Sequence, residues 1–141
     1  MFQGKVAVVT GGAHGIGLAI AQAFAQEGAA VCVIDRTPNP YFTGDVGEEE
    51  TLRRFAERVI ADHGRVDFLI HNAPPPMKGI DTCSYEEFNR ALRIGVTAPF
   101  YLTKLFLPYF APGAAIVNIS SSRDRMSQPQ TESYTAAKGG I

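Results

Sequence analysis

Short apolar runs alternate with longer stretches of helical periodicity along the whole 141-residue chain, and that alternation narrows the fold more than any other feature. Val6 to Val9 is continuous, β-branched and stopped by Thr10-Gly11-Gly12, the pattern of a strand buried on both faces. Ile16, Ile20, Ala23 and Phe24 then recur at helical spacing as far as Gly28, a residue type that commonly closes a helix. Val31 to Ile34 reads as a second strand ending in Asp35, Phe42 to Val46 as a short third, Val66 to Ile70 as a fourth and Ala115 to Ile119 as a fifth. Glu48 to His63 presents Leu52, Phe55, Ala56, Val59 and Ile60 on one helical face. Acidic residues crowd its first turn, where the helix dipole favours them. Ser84 with Glu87 forms a capping box that opens a long helix. Its apolar face includes Phe88, Leu92 and Val96, and it extends to Leu107. Thr131 to Ile141 starts a further helix. The expected fold class is α/β, a doubly wound parallel sheet.

Two irregularities stand out. Only the Pro-rich stretch Arg36 to Tyr41 joins strands two and three, whereas a parallel crossover usually takes about a dozen residues. Either the helix expected there is reduced to a loop, or the third strand is marginal. The chain also stops in mid-helix, and a sheet ending at strand five leaves an apolar edge uncovered. This reads as the N-terminal part of a longer protein, or as a cleaved chain.

Composition removes several classes of function. With 45% hydrophobic residues and a formal net charge of −1, the chain is neither disordered nor strongly charged. Its 13 basic and 14 acidic residues give no electrostatic case for nucleic acid or an anionic membrane. No run approaches the ~20 apolar residues of a membrane span. Two cysteines, Cys32 and Cys83, make no disulfide framework and are expected as reduced thiols, which favours a cytoplasmic location. Three scattered histidines supply no metal-ligand spacing, so no metal site is expected.

The chemistry lies in three constellations. Thr10-Gly11-Gly12-Ala13-His14-Gly15-Ile16-Gly17 follows a strand and opens a helix. Gly11 can turn the chain sharply, Gly15 lets the backbone approach a pyrophosphate, and Gly17 lets helix and strand pack closely. The helix N-terminus offers free N–H groups and a positive dipole end to phosphates. Residues 1–141 are therefore expected to form a dinucleotide-binding, Rossmann-type domain, with Gly11, His14, Gly15, Ile16 and Gly17 at the cofactor. A structural glycine turn is the alternative. Asp35 ends the second strand, 24 residues after Gly11, where a carboxylate can accept hydrogen bonds from an adenosine ribose. The same carboxylate repels a 2′-phosphate, which favours NAD(H) over NADP(H), although Arg36 can soften that preference. Asp45 and Val46 could hold the adenine, the Asp by hydrogen bond and the Val by packing. In the third constellation Tyr134 and Lys138 are four residues apart and share a helical face. An ammonium beside a phenol favours the phenolate and suits it to proton exchange with an alcohol or carbonyl oxygen. Ser121, at the end of the fifth strand, could hold the same oxygen. Taken alone, Tyr-x-x-x-Lys is also a common surface pair; its weight comes from the glycine turn upstream and the Ser offset.

Together these residues resemble the short-chain dehydrogenase/reductase family, in its common branch of about 250 residues. The glycine spacing Gly-x-x-x-Gly-x-Gly, the 13-residue offset from Ser121 to Tyr134, Tyr-Thr-Ala-Ala-Lys, and Asn118-Ile119-Ser120-Ser121 carry the resemblance across the chain. It implies a nicotinamide cofactor and hydride transfer between an alcohol and a ketone. Tyr134 would be the acid/base, Lys138 would favour its phenolate and hold the nicotinamide ribose, and Ser121 would orient the substrate. A homodimer or homotetramer is also implied, with the helix from Ser84 and the Tyr-Lys helix as contact surface.

The chain departs from the family pattern in places. The family's Asn-Asn-Ala-Gly after strand four is His71-Asn72-Ala73-Pro74; Asn72 and Ala73 match and keep their cofactor-binding role. Pro74-Pro75-Pro76 would stiffen a loop that borders the cofactor. The family's catalytic Asn falls at Gly95. Pro99, four residues on, cannot donate to the residue-95 carbonyl. The pair predicts a helix distortion between them that frees the Gly95 carbonyl toward Lys138, with a water bridging the two; a kink without catalytic consequence is the alternative. His14 and His71 read as structural or cofactor-edge residues. Arg123-Asp124-Arg125 either lines a polar substrate pocket or forms a solvated loop. Phe100, Tyr101, Phe106, Tyr109 and Phe110 are expected to cluster in core or subunit packing. Two rivals to the dehydrogenase reading follow from these departures: a nucleotide-binding relative without redox activity, and an inactive fragment.

Overall fold

The computed structural model describes all of residues 1–141 and forms a five-stranded, wholly parallel sheet in the order β3-β2-β1-β4-β5. The strands are β1 (Val6–Thr10), β2 (Ala30–Asp35), β3 (Phe42–Thr43), β4 (Val66–His71) and β5 (Phe110–Asn118). The helices are α1 (Gly15–Gln26), α2 (Glu49–His63), α3 (Tyr85–Leu92), α4 (Ala98–Phe106) and α5 (Glu132–Gly140). All five residues of β1 are buried, as its unbroken apolar run requires of a central parallel strand.

Alternate strand residues feed two apolar layers. Val6, Val8, Cys32, Ile34, Val66 and Leu69 meet Leu52, Phe55 and Val59 of α2 and Leu102 and Phe106 of α4. On the other face Val9 and Ile70 meet Ala21 of α1, with Ile20 and Phe24 beside them. Strand order reverses at β1, between β2 and β4, and opens a crevice at the carboxyl ends of β1 and β4. Thr10 to Gly15 and His71 to Ala73 therefore meet at that crevice.

Several boundaries differ from the sequence-based expectation. The third strand is the two residues Phe42–Thr43, and no helix precedes it. Both irregularities of that link are thus present, because Asn39 takes over the backbone groups a ladder would have used: its Oδ1 accepts from Tyr41 and Phe42 N–H, at 3.0 Å each. The fifth strand starts at Phe110, five residues earlier than Ala115, and its pairing with β4 shifts register between Val66 and Phe68. Gly113 lies in that irregular stretch at φ +79°. The long helix from Ser84 is interrupted by a wide, π-type turn over Arg93–Thr97, in which Ala98 N–H donates to the Arg93 carbonyl. The capping box at its start is intact, with Glu87 N–H donating to Ser84 Oγ at 3.1 Å and Ser84 N–H to Glu87 Oε2 at 2.9 Å. The five late aromatic residues divide: Phe106 packs against Phe55 in the core and Tyr101 and Phe110 pack against the same cluster, as expected, while Phe100 and Tyr109 are exposed. Ile116 and Val117 on the edge strand β5 are about half exposed, the apolar edge foreseen for a sheet ending there.

Candidate active site

The glycine turn is built by close approach. Gly11 sits at φ +66°, and its N–H donates to the Ile34 carbonyl at 2.8 Å, tying the turn to β2. A Cβ at Gly17 would overlap the Gly11 carbonyl and the Asn72 side-chain amide, so only glycine lets α1 pack against this turn. Gly15, at φ +58°, has open space where a Cβ would stand. It is the first residue of α1, at the end where unpaired amides collect. His14 and Ile16 are largely exposed beside it.

Asn72 and Thr10 close the crevice from the β4 side. Asn72 Nδ2 donates to the carbonyls of Thr10 at 3.2 Å and Gly11 at 2.9 Å. The buried Thr10 hydroxyl oxygen accepts from Asn72 N–H at 3.0 Å and Ala73 N–H at 3.1 Å. The sequence does not mark this role of Thr10, because a threonine ending a strand has no local signature of the double contact.

Beyond the turn opens a cavity of about 580 Å³. Gly11, His14, Asp35, Arg36, Asp45, Val46 and Ala73 line it, and Pro74, Pro75 and Pro76 form one wall. Asp35 is buried, and both its oxygens are engaged: Oδ2 accepts Ala13 N–H at 3.0 Å and Oδ1 accepts Thr37 N–H at 2.9 Å. It therefore clamps the glycine turn to the end of β2 as well as facing the cavity. Asp45 Oδ1 accepts Gly47 N–H at 2.8 Å and Oδ2 accepts Arg90 Nη2 at 2.6 Å. Burial opposes ionisation of Asp45, but the Gly47 N–H and the Arg90 guanidinium outweigh it and hold the carboxyl below the ordinary carboxylate range. Arg90, from α3, also lines the cavity and carries no signal in the sequence.

Ser121 lies in the loop after β5, three residues past its end at Asn118, and the pair Tyr134–Lys138 comes from α5. Ser121 Oγ accepts Arg123 N–H at 3.2 Å, which leaves its own proton free to donate. Arg123 Nη2 donates to Gln128 at 2.6 Å, within the loop that follows β5. Lys138 is 7% exposed, lies 5.6 Å from the Tyr134 ring centroid and donates to the Ile119 carbonyl at 2.5 Å. No carboxylate pairs with it. Burial lowers its pKa from the ordinary lysine value.

The distortion foreseen between Gly95 and Pro99 is present, but it begins at Arg93 and places Gly95 at its centre. Lys138 bonds to the Ile119 carbonyl and not directly to that of Gly95. Gly95, Lys138, Thr10, His71 and Ile119 instead share the lining of a cavity of about 20 Å³, room for one water. His71 is buried, with Nε2 3.1 Å from Thr103 Oγ1, and desolvation pushes its pKa down to about 4. It serves as a packed strand-end residue. Cys32 is buried and Cys83 partly so, both unpaired. No group of metal-ligating side chains occurs, and no helix is long and apolar enough to cross a membrane.

The sequence model of the short chain dehydrogenases matches residues 5–141. The chain belongs to this family. It is 34% identical to an L-fucose dehydrogenase of Bos taurus, over 99% of this chain and 57% of that protein. Among solved structures, an apo SCOR enzyme from Clostridium thermocellum superposes with a TM-score of 0.88 at 37% identity, covering 100% of this chain and 63% of that one. A metagenomic short-chain oxidoreductase in complex with NADP superposes with a TM-score of 0.87 at 28% identity, covering 99% and 72%. The chain spans 55–62% of the length of the curated relatives it matches.

Proposed function

We propose that this short-chain dehydrogenase transfers a hydride between NAD(H) and an alcohol or ketone, and that residues 1–141 are its dinucleotide-binding domain. The observation that carries the reading is Lys138: a nearly buried ammonium with no carboxylate partner, held beside the Tyr134 ring. A buried unpaired charge is costly, and a purely structural helix pair has no use for one.

The residues present suit a nicotinamide dinucleotide. Gly15 leaves open space at the α1 N-terminus, Asp35 and Asp45 face the 580 Å³ cavity as ionisable acceptors, and Val46, Asn72 and Ala73 border it or position its rim. When bound, such a cofactor supplies or accepts the hydride. The rest of the chemistry falls to the chain. Tyr134 exchanges the proton with the substrate oxygen. Lys138, anchored by the Ile119 carbonyl, places its positive charge beside the phenol ring, where it can stabilise negative charge developing as the proton moves. Ser121 donates its free proton to the same substrate oxygen.

NAD(H) is preferred over NADP(H) in this reading because the Asp35 carboxylate, fixed by the Ala13 and Thr37 N–H groups beside the cavity, would repel a 2′-phosphate on a ribose bound there, although a structural neighbour carries NADP. The test is binding of NADH and NADPH, with turnover of each against aliphatic, aromatic and sugar-derived carbonyl compounds, and of NAD⁺ against the matching alcohols. Asp35→Ala is expected to weaken NADH binding by at least about 1.5–3 kcal/mol, the worth of one hydrogen bond to a charged group, because the Ala13 N–H of the glycine turn loses its partner as well, and to narrow the gap to NADPH. Tighter binding of NADPH by the wild type overturns the role given to Asp35. NADH binding without turnover across the panel favours the second reading, a nucleotide-binding relative without redox activity; Gly95 in place of the family Asn is the residue that supports it.

A further inference from the structure

Three consecutive prolines, Pro74, Pro75 and Pro76, wall the cofactor cavity and have no N–H to offer. Such a loop can be held only through its carbonyls or by its neighbours. Ser133, immediately before Tyr134 and 1% exposed, does both. Its Oγ donates to the Pro76 carbonyl at 2.9 Å and accepts Lys78 N–H at 2.8 Å. Its own N–H donates to the Lys78 carbonyl at 3.1 Å.

Neighbouring residues extend the grip. Ile80 N–H donates to Glu132 Oε2 at 3.0 Å, and Gln130 Nε2 donates to Asp81 Oδ2 at 3.0 Å. A Cβ at Gly79 would come within 2.6 Å of the Gln130 Cα, so the two segments touch backbone to backbone. Gln130 accepts a left-handed φ of 66° at that contact, the one non-glycine residue to do so.

We infer that Ser133 is a positioning residue, which locks the proline wall of the cofactor cavity to α5 and so fixes where the Tyr134 phenol stands. A serine suits the task because one hydroxyl both donates and accepts in the space of a methyl group. The inference rests on the proposed role of Tyr134, but the lock itself does not.

The test therefore has two arms, on the full chain. Ser133→Ala removes the hydroxyl. Ser133→Cys keeps the side chain's shape, with a slightly larger sulfur, but replaces the hydroxyl with a weak donor and acceptor, and serves if the alanine variant does not fold. Val59→Ala, a core truncation in α2 remote from the site, is the control for lost stability. In the first arm, amide hydrogen exchange is followed at Lys78 and Ile80. Both Ser133 variants are expected to lose about tenfold or more protection there, while Val59→Ala does not. Unchanged protection overturns the lock.

In the second arm, kcat and KM are measured separately with the most active compound of the carbonyl panel. A displacement of about 1 Å costs roughly 100-fold in rate, so a fall of about 10–100-fold in kcat is expected for Ser133→Ala, with KM near wild type. A kcat equal to wild type, a loss carried by KM instead, or a fall in kcat that Val59→Ala reproduces, overturns the positioning role. A wild-type chain with no turnover overturns the dehydrogenase reading and, with it, the positioning role; the exchange arm still decides the lock.

Discussion

The glycine turn and the Tyr134 helix border one crevice but are held in different ways. Around Gly11 and Gly17 the backbone of the turn packs at close range on backbone and on the hydrogen-bonded Asn72 amide, next to strand β1, in which every residue is buried. Around Tyr134 and Lys138 they are side-chain ties to loops and to the edge strand β5, where Ile116 and Val117 are half exposed. Damage to the first region should therefore appear as lost folding or cofactor binding. Damage to the second should appear mainly as lost rate.

The largest effect is expected at Tyr134. Tyr134→Phe removes only the transferable proton, so turnover should fall by ~10²–10⁴ while the NADH dissociation constant stays near wild type. Steady-state kinetics with fluorescence titration of NADH check both halves. Retained turnover removes Tyr134 from the mechanism; a parallel loss of binding breaks the division between the two regions.

Gly17→Ala is the matching change in the first region. Its methyl meets the Gly11 carbonyl and the Asn72 amide, and neither can swing away as a flexible side chain would. A destabilisation of about 3 kcal/mol is expected in urea unfolding, at the upper end for overpacking. Gly15→Ala meets nothing and bears only its left-handed backbone, roughly 1–2 kcal/mol. Equal costs for the two variants mean that close packing at Gly17 is not what holds the turn.

His71 stands between the regions, at the end of β4 and beside the small cavity that touches Lys138. Its folded pKa is about 4 against 6.5 for the free imidazole, because burial disfavours the cation. The unfolded chain takes up the proton first, so stability falls as pH drops below 6.5 and the loss is complete near 4, roughly 3 kcal/mol in all. His71→Asn should flatten that slope in urea unfolding at pH 7, 5.5 and 4.5. Asp67 acts in a separate, more acidic window. Burial opposes its ionisation, but Arg65, the Val6 N–H and Lys5 outweigh that and lower its pKa, so its contribution holds above the ordinary carboxylate value and disappears as pH falls through its lower folded one. A slope unchanged in His71→Asn assigns the acid sensitivity elsewhere.

The same contrast governs what the sequence could tell. Strand runs, the glycine spacing, the Ser84–Glu87 box and the Tyr134–Lys138 pair are local patterns, and the parallel sheet, the strand–turn–helix at Gly11 to Gly17 and the capping box stand where those patterns put them. Arg90 on Asp45, Thr10 under Asn72 and Ser133 on Pro76 join residues 45 to 62 positions apart, and no periodicity marks such a pair. Phe100 and Phe106 look alike in sequence, yet Phe106 is buried and Phe100 exposed, because the turn at Arg93–Thr97 sets which face of α4 meets the sheet.

That turn supports the smallest and sharpest test. Pro99 removes one backbone donor, so a regular helical ladder cannot be completed through it, and the chain widens to a five-residue bond from Ala98 to Arg93. Gly95 lies at the centre, and a Cβ there would stand 2.7 Å from the Ala137 methyl of α5 and 3.2 Å from Pro75. Neither neighbour is flexible. Glycine at this position therefore does more than tolerate the distortion: it lets α5 approach, one residue from Lys138. Gly95→Ala should cost about 1–2 kcal/mol in urea unfolding through overpacking. Gly95→Asn, which restores the family residue, should do no better in turnover and should lower it if α5 is pushed back. If Gly95→Asn raises turnover instead, the family side chain is what this site lacks, and the close approach of α5 is a consequence of its loss and not the arrangement on which Lys138 depends.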